Sequence, residues 1–187
     1  NAYQGEIEYF KIVAPDYVAL GHNNLNVDNA YYWRDEAGTL DCGVIDWGGF
    51  GVLNLGHKIY WSLNCSEFEN IESNLSDYLD AFISAYHEYG GPLLDAGLLR
   101  YHIFLTALAN LSQMMQAIPN CFKMCAVKEW ETIRDRSDPR IADNIDGKST
   151  LRSTLRQVDN GLRIIEEMKA DEVLKEWIQR HWVEQFR

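Results

Sequence analysis

Residues 92–118, PLLDAGLLRYHIFLTALANLSQMMQAI, constrain the fold more than any other stretch. Apolar side chains fall on nearly all sides of the helix this segment would form, so it must be surrounded by other elements rather than laid on a surface. Pro92 suits a first turn and Pro119 marks the expected end. A chain with such a segment needs further amphipathic helices to cover it. Residues 76–91, SDYLDAFISAYHEYGG, provide one: Tyr78, Leu79, Phe82, Ile83 and Tyr86 recur at helical spacing before a glycine pair that suits a C-terminus. Residues 149–168 and 171–186 read as two more, with Asp171 and Glu172 in the first turn of the second. Trp177, Trp182 and Phe186 are expected to pack between helices.

The first fifty residues are different material. DYVAL (16–20), AYYWR (30–34) and LDCGVID (40–46) are short, aromatic and β-branched segments separated by polar turns. They predict three strands, the last two forming a hairpin with Gly38 at a position that needs positive φ. The expected fold class is therefore mainly α (α+β): a hairpin region, 1–50, packed on a helical body, 51–187, in one domain.

Charge narrows the partners. The net charge of −11 disfavours nucleic acid and anionic membrane surfaces, which select for clustered Lys and Arg. No apolar run reaches the roughly 20 residues that cross a bilayer, and no signal pattern opens the chain. The chain begins at Asn1 and not at Met, as a processed or trimmed piece would. Cys42, Cys65, Cys121 and Cys125 have no disulfide-dense or CxxC spacing and read as buried, reduced thiols, which favours a soluble protein of a reducing compartment. The sequons at Asn64, Asn74 and Asn110 are discounted, and GKST (147–150) reads as a helix start with Ser149 as cap rather than a phosphate loop. His57, His87, His102 and His181 are dispersed and read as structural or surface residues.

The loop GHNNLNVDN (21–29) is polar where packing does not require it, and Asp46 ends the second strand of the hairpin. Oxygen-bearing side chains on such a loop suit a hard cation beside phosphate, although Asn also favours turns for its own backbone hydrogen bonds. His22, Asn24, Leu25 and Asn29, then Ile45-Asp46-Trp47, resemble the H-x-D-L-x-x-x-N loop and the I-D-W segment of the aminoglycoside phosphotransferase and choline kinase-like family, which has the protein-kinase fold. The resemblance covers residues 16–60.

The resemblance implies that His22 steadies the catalytic loop, that Asn29 and Asp46 bind Mg²⁺, and that Asp46 bridges the nucleotide phosphates. It also exposes a departure. Asn24 stands where the family has the aspartate that accepts the substrate proton, and a neutral amide cannot take it. Asp28 is a nearby carboxylate that could substitute or simply serve the turn. Asn54-Leu55-Gly56 is similar to the family's later Asp-Leu-Ala segment, again with an amide for an acid. Few residues precede His22, so the chain corresponds to the C-terminal lobe, with the N-terminal lobe absent.

Three readings follow. The first is a non-catalytic kinase-like module acting as a binding or scaffold subunit with protein partners, and Asn24 favours it. The second is the C-terminal part of an active phosphotransferase using Mg and ATP, favoured by Asn29 and Asp46. The third is an unrelated α-rich structural subunit.

Overall fold

The computed structural model describes residues 3–26, 29–135, 137–143 and 151–182. Helix α1 (Gln4–Ile12) leads through a short turn to strand β1 (Val18–His22). Strands β2 (Ala30–Arg34) and β3 (Leu40–Val44) follow, then β4 (Phe50–Asn54) and helices α2 (Leu55–Leu63), α3 (Phe68–Glu88) and α4 (Ala96–Met124). Short turns α5 (Val127–Trp130) and α6 (Pro139–Ala142) precede α7 (Leu151–Glu166) and α8 (Ala170–Trp177), and a wider turn, Ile178–Trp182, ends the described chain. The fold is mainly α with two small antiparallel sheets, β1 with β4 and β2 with β3.

Helix α4 is the centre. It packs against α1, α2, α3, α7 and α8, as an all-round apolar helix must. Leu99, Ile103, Phe104 and Ala107 on it are buried, and they meet Leu55 and Tyr60 of α2, Phe68, Leu75 and Leu79 of α3, and Ile164 of α7. Each such aliphatic or aromatic side chain contributes about 1.5–3 kcal/mol by leaving water. Helix α2 crosses α4 at Gly56, where a Cβ would lie 2.6 Å from His102 Cβ and 2.9 Å from the Ile103 nitrogen. Only glycine permits that approach, because the neighbour is backbone.

Helix boundaries depart from the sequence expectations in instructive ways. Helix α4 begins at Ala96, not near Pro92, because the Asp95 side chain accepts the Leu98 N–H at 2.7 Å and caps it. It also runs past Pro119 to Met124. Proline removes one hydrogen bond there, but the following turn is held by Cys121 and Cys125 packing on Leu151, and the Trp130 indole donates to the Cys125 carbonyl at 2.9 Å. Strand β4 and helices α1 and α2 have no counterpart in the sequence reading. The Gly38 turn is as expected, at φ 83°. Cys42 is exposed on the hairpin and Cys65 is only half-buried, a correction to four buried thiols, and no cysteine forms a disulfide. Trp177 is buried against Ile7 and Leu105. Ser149, the GKST segment, Phe186 and the Trp182 side chain lie outside the described residues. No described helix is long and apolar enough to cross a membrane.

A polar knot joins α1, β4, α2 and α4. Asn54 caps α2 by accepting from the Gly56 and His57 N–H groups, at 2.8 and 3.3 Å, while its Nδ2 donates to the Lys11 carbonyl and to His102 Nδ1, each at 3.0 Å. Lys11 is fully buried; its ammonium donates to Thr106 Oγ1 at 2.9 Å and pairs with Glu8 at 2.8 Å. Burial holds the Lys11 pKa below its ordinary value, with Glu8 opposing. His102 accepts at Nδ1, so its proton sits on Nε2, which has no partner among the described residues.

Burial, reinforced by the Lys11 charge, pushes the His102 pKa down to about 4. An unfolded histidine takes its proton near pH 6.5, so between these values the unfolded chain binds the extra proton and the folded chain does not. The stability contributed by neutral His102 is complete above pH 6.5 and is lost as pH falls toward 4, to a limit of about 3 kcal/mol. His102→Asn keeps an acceptor for Asn54 without a titrating ring. Urea unfolding at pH 7 and pH 4.5 is expected to show a smaller loss of stability for that variant than for the native chain; equal losses would contradict the assignment.

Candidate functional site

The polar loop hangs between the two sheets. Strand β1 delivers His22 opposite Phe50 of β4, and β2 begins one residue after Asn29 with Ala30 opposite Val44 of β3. The loop is therefore pinned at both ends to strands that flank Asp46. Two further backbone bonds tighten it: the Asn23 N–H donates to the Gly49 carbonyl at 3.3 Å, and the Ile45 N–H donates to the Asn29 carbonyl at 3.0 Å.

His22 is the brace. Its Nε2–H donates to the Ile45 carbonyl at 3.0 Å, and its Nδ1 accepts the Asn24 N–H at 3.1 Å. The two bonds fix one tautomer and one ring orientation, because only an unprotonated Nδ1 can accept. The buried ring also meets the Trp47 indole edge to face, with centroids 5.1 Å apart. One side chain thus joins the two segments that sequence spacing had paired.

Asn29 is buried, and its Nδ2 donates to the Asn24 carbonyl at 2.7 Å. Spending the amide nitrogen on the loop backbone leaves Oδ1 as the atom on the opposite side of the carboxamide. Asp46 is exposed and adopts the left-handed conformation, φ 56° and ψ 56°, from which the chain turns through Trp47–Gly49 into β4. A non-glycine residue there stores about 1 kcal/mol or more of backbone strain. Its Oδ1 lies 3.5 Å from where a Gly48 Cβ would be, and Asn24 Cβ lies 3.9 Å from where a Gly49 Cβ would be. Asn24 and Asp46 therefore flank the same glycine turn, while Asn29 is bonded to the residue before Asp46. The structure gathers His22, Asn24, Asn29 and Asp46 into one locality.

Asn24 is not idle. Its Oδ1 accepts from Asn26 Nδ2 at 2.8 Å, so the carboxamide already serves the loop, and it has no lone pair basic enough to take a proton. Asp28 lies outside the described residues. Asn54 holds α1, α2 and α4 together rather than bonding to the 21–29 loop in any hydrogen bond described above.

Sequence reasoning missed Lys58. Its ammonium donates to Asn23 Oδ1 at 2.5 Å and to the Gly51 carbonyl at 3.0 Å, tying α2 to the loop and to β4. Partial burial holds its pKa below the ordinary lysine value. Lys58 sits thirty-five residues beyond Asn23, and no local pattern announces such a pair. Gly21 shares the contact, since a Cβ there would sit 3.6 Å from Lys58 Nζ.

Among the described residues no group of three or more His, Cys, Asp and Glu side chains could hold a metal ion. The donor set at hand is one carboxylate and one carboxamide oxygen, which suits a hard cation that keeps most of its coordination for water and phosphate. Comparison with protein-family models, curated proteins and solved structures finds no match for this chain.

The brace makes a direct prediction. Replacing His22 with Ala removes the acceptor for the Asn24 N–H, worth about 1 kcal/mol, so that amide is expected to exchange with solvent roughly fivefold to tenfold faster. Hydrogen exchange followed by NMR reads this, and unchanged protection at Asn24 would show that the loop is held by other means.

Proposed function

We propose that this chain is a kinase-like C-terminal-lobe module that has kept the architecture of a catalytic loop but not its base, and that it acts as a binding or scaffold subunit. The observation that carries the reading is Asn24. By the resemblance it stands where the family has a carboxylate that accepts a hydroxyl proton, and its amide oxygen is bonded to Asn26. The bracing of residues 21–29 by His22 supports a loop of fixed geometry without supplying chemistry to it.

A binding role also draws support from the surface beside the loop. Register places Leu20, Val52 and Phe50 on one face of the β1–β4 pair, and all three are more than half exposed, with Trp47 next to Phe50 at 5.6 Å. Single exposed apolar residues are ordinary, but a contiguous group on a two-stranded sheet leaves a face that a protein partner would cover.

A second reading is favoured by one observation: Asn29 and the strained Asp46 remain together. In that reading the chain is the C-terminal part of an Mg²⁺ and ATP-dependent phosphotransferase acting on a hydroxyl. Asn29 Oδ1 and Asp46 would hold the ion, which would neutralise charge on the phosphate oxygens.

Release of ADP from MgATP, with hydroxyl acceptors supplied, separates the two. The native chain is expected to give none above buffer. Turnover by the native chain that disappears in Asp46→Asn would overturn the non-catalytic reading in favour of the phosphotransferase.

A further inference from the structure

The β2–β3 hairpin stands out from the helical body. Every residue from Tyr31 to Cys42 is exposed, although a two-stranded sheet by itself is marginally stable in water. Tyr31 pairs with Gly43 and Trp33 with Asp41, so the pleat puts these four residues on one face. The Tyr31 ring reaches across the sheet to Gly43, where a Cβ would collide with it, so glycine is what lets the ring lie there. Trp33 stacks on Tyr31, with centroids 5.3 Å and planes 25° apart. Tyr31 remains 52% and Trp33 40% exposed, and the pair forms a two-ring platform open to solvent.

Charge selects what can cover that platform. Between Ala30 and Asp46 the chain carries Asp35, Glu36, Asp41 and Asp46 against a single cation, Arg34. Arg34 falls on the opposite face by the same alternation, and its guanidinium donates to the Gly38 carbonyl at 2.7 Å. None of the four carboxylates has an ion-pair partner among the described residues. Asp41 lies directly opposite Trp33; its Oδ1 accepts the Cys42 N–H at 2.8 Å, which leaves Oδ2 for another donor. Cross-strand neighbours start about 4.5–5.5 Å apart at Cβ, so a group resting on the Trp33 ring is within reach of that carboxylate. Ring faces attract cations, and the surrounding carboxylates repel phosphates and acidic partners.

We infer that the Tyr31–Trp33 face receives an arginine side chain from a basic segment of a protein partner. The guanidinium lies against the rings and donates to Asp41, a combination that suits a planar, permanently charged fork better than a compact ammonium. Asp35, Glu36 and Asp46 draw in the rest of the basic segment. The inference names the chemistry of the partner and rests on the reading of the chain as a binding subunit. It gives the hairpin a role separate from that of the β1–β4 face, where Leu20, Phe50 and Val52 offer apolar contact instead of charge.

A blocked peptide of sequence Gly-Arg-Gly-Arg-Gly is the probe, and the same peptide with citrulline, neutral and nearly identical in shape, is the control. In two-dimensional NMR of the native chain, the arginine peptide is expected to shift the Trp33 indole N–H and the Gly43 amide saturably, and the citrulline peptide to leave them in place. Trp33→Leu keeps the net charge and is expected to weaken arginine-peptide binding, read at the Gly43 amide, about twofold to fivefold. Absence of saturable shifts in the native chain would overturn the proposal without needing any variant. Binding unchanged in Trp33→Leu would reduce it to diffuse attraction by an acidic surface and overturn the platform. Equal binding of the citrulline peptide would overturn the charged partner in favour of a neutral one. No nucleotide is present, so these failures bear on the partner's chemistry alone, whereas turnover of MgATP bears on the non-catalytic reading alone.

Discussion

The Asn54 carboxamide satisfies four partners on three helices: two N–H groups at the start of α2, the last-turn carbonyl of α1 at Lys11, and the ring of His102 in the middle of α4. Both of its hydrogens and both of its lone pairs are used, deep in the protein. The rest of the structure depends on that junction. It sets the point where β4 becomes α2, it seats α2 on α4 at the Gly56 crossing, and it brings α1 across both. A buried network of this kind is most stabilising when every member is paired, so His102 Nε2, without a partner among the described residues, and the lowered basicity of Lys11 and His102 are its cost.

The loop inherits its position from the same junction. Because β4 ends at Asn54, its register with β1 is set from that end, and that register puts His22 opposite Phe50 beside the Trp47–Gly49 turn. Lys58, one turn into α2, then reaches back to Asn23 and Gly51. Helix core, strand pair and loop are thus coupled through α2. His22 finishes the arrangement locally by binding both the loop backbone and the Ile45 carbonyl.

Parts of this were legible in the sequence for definite physical reasons. Helix α4 announces itself because apolar residues on every side have no other explanation, and the Gly38 hairpin because a tight turn needs positive φ. Helix α1 did not, since its inward face includes Lys11, which any polarity pattern assigns to water. Strand β4 was hidden by Gly51, by the glycines just before it and by running straight into α2; only pairing with β1 reveals it. At the loop, the spacing of His22, Asn24, Asn29 and Asp46 was readable, because the chemistry of oxygen and imidazole groups is local. The contacts that hold the loop were not, since Lys58 to Asn23 and Cys65 to Asn26 join residues far apart in the chain.

The proposal that the 21–29 loop keeps the architecture of a catalytic loop without its base implies that Asn29 and Asp46 still share one cation. Titration with Mn²⁺, read as paramagnetic broadening of assigned NMR signals, tests this most directly. The account predicts early, selective broadening at the Asn29 side-chain amide and the Asp46 backbone amide, removed by Asp46→Asn. Broadening scattered over the acidic surface, or unchanged in that variant, would contradict it.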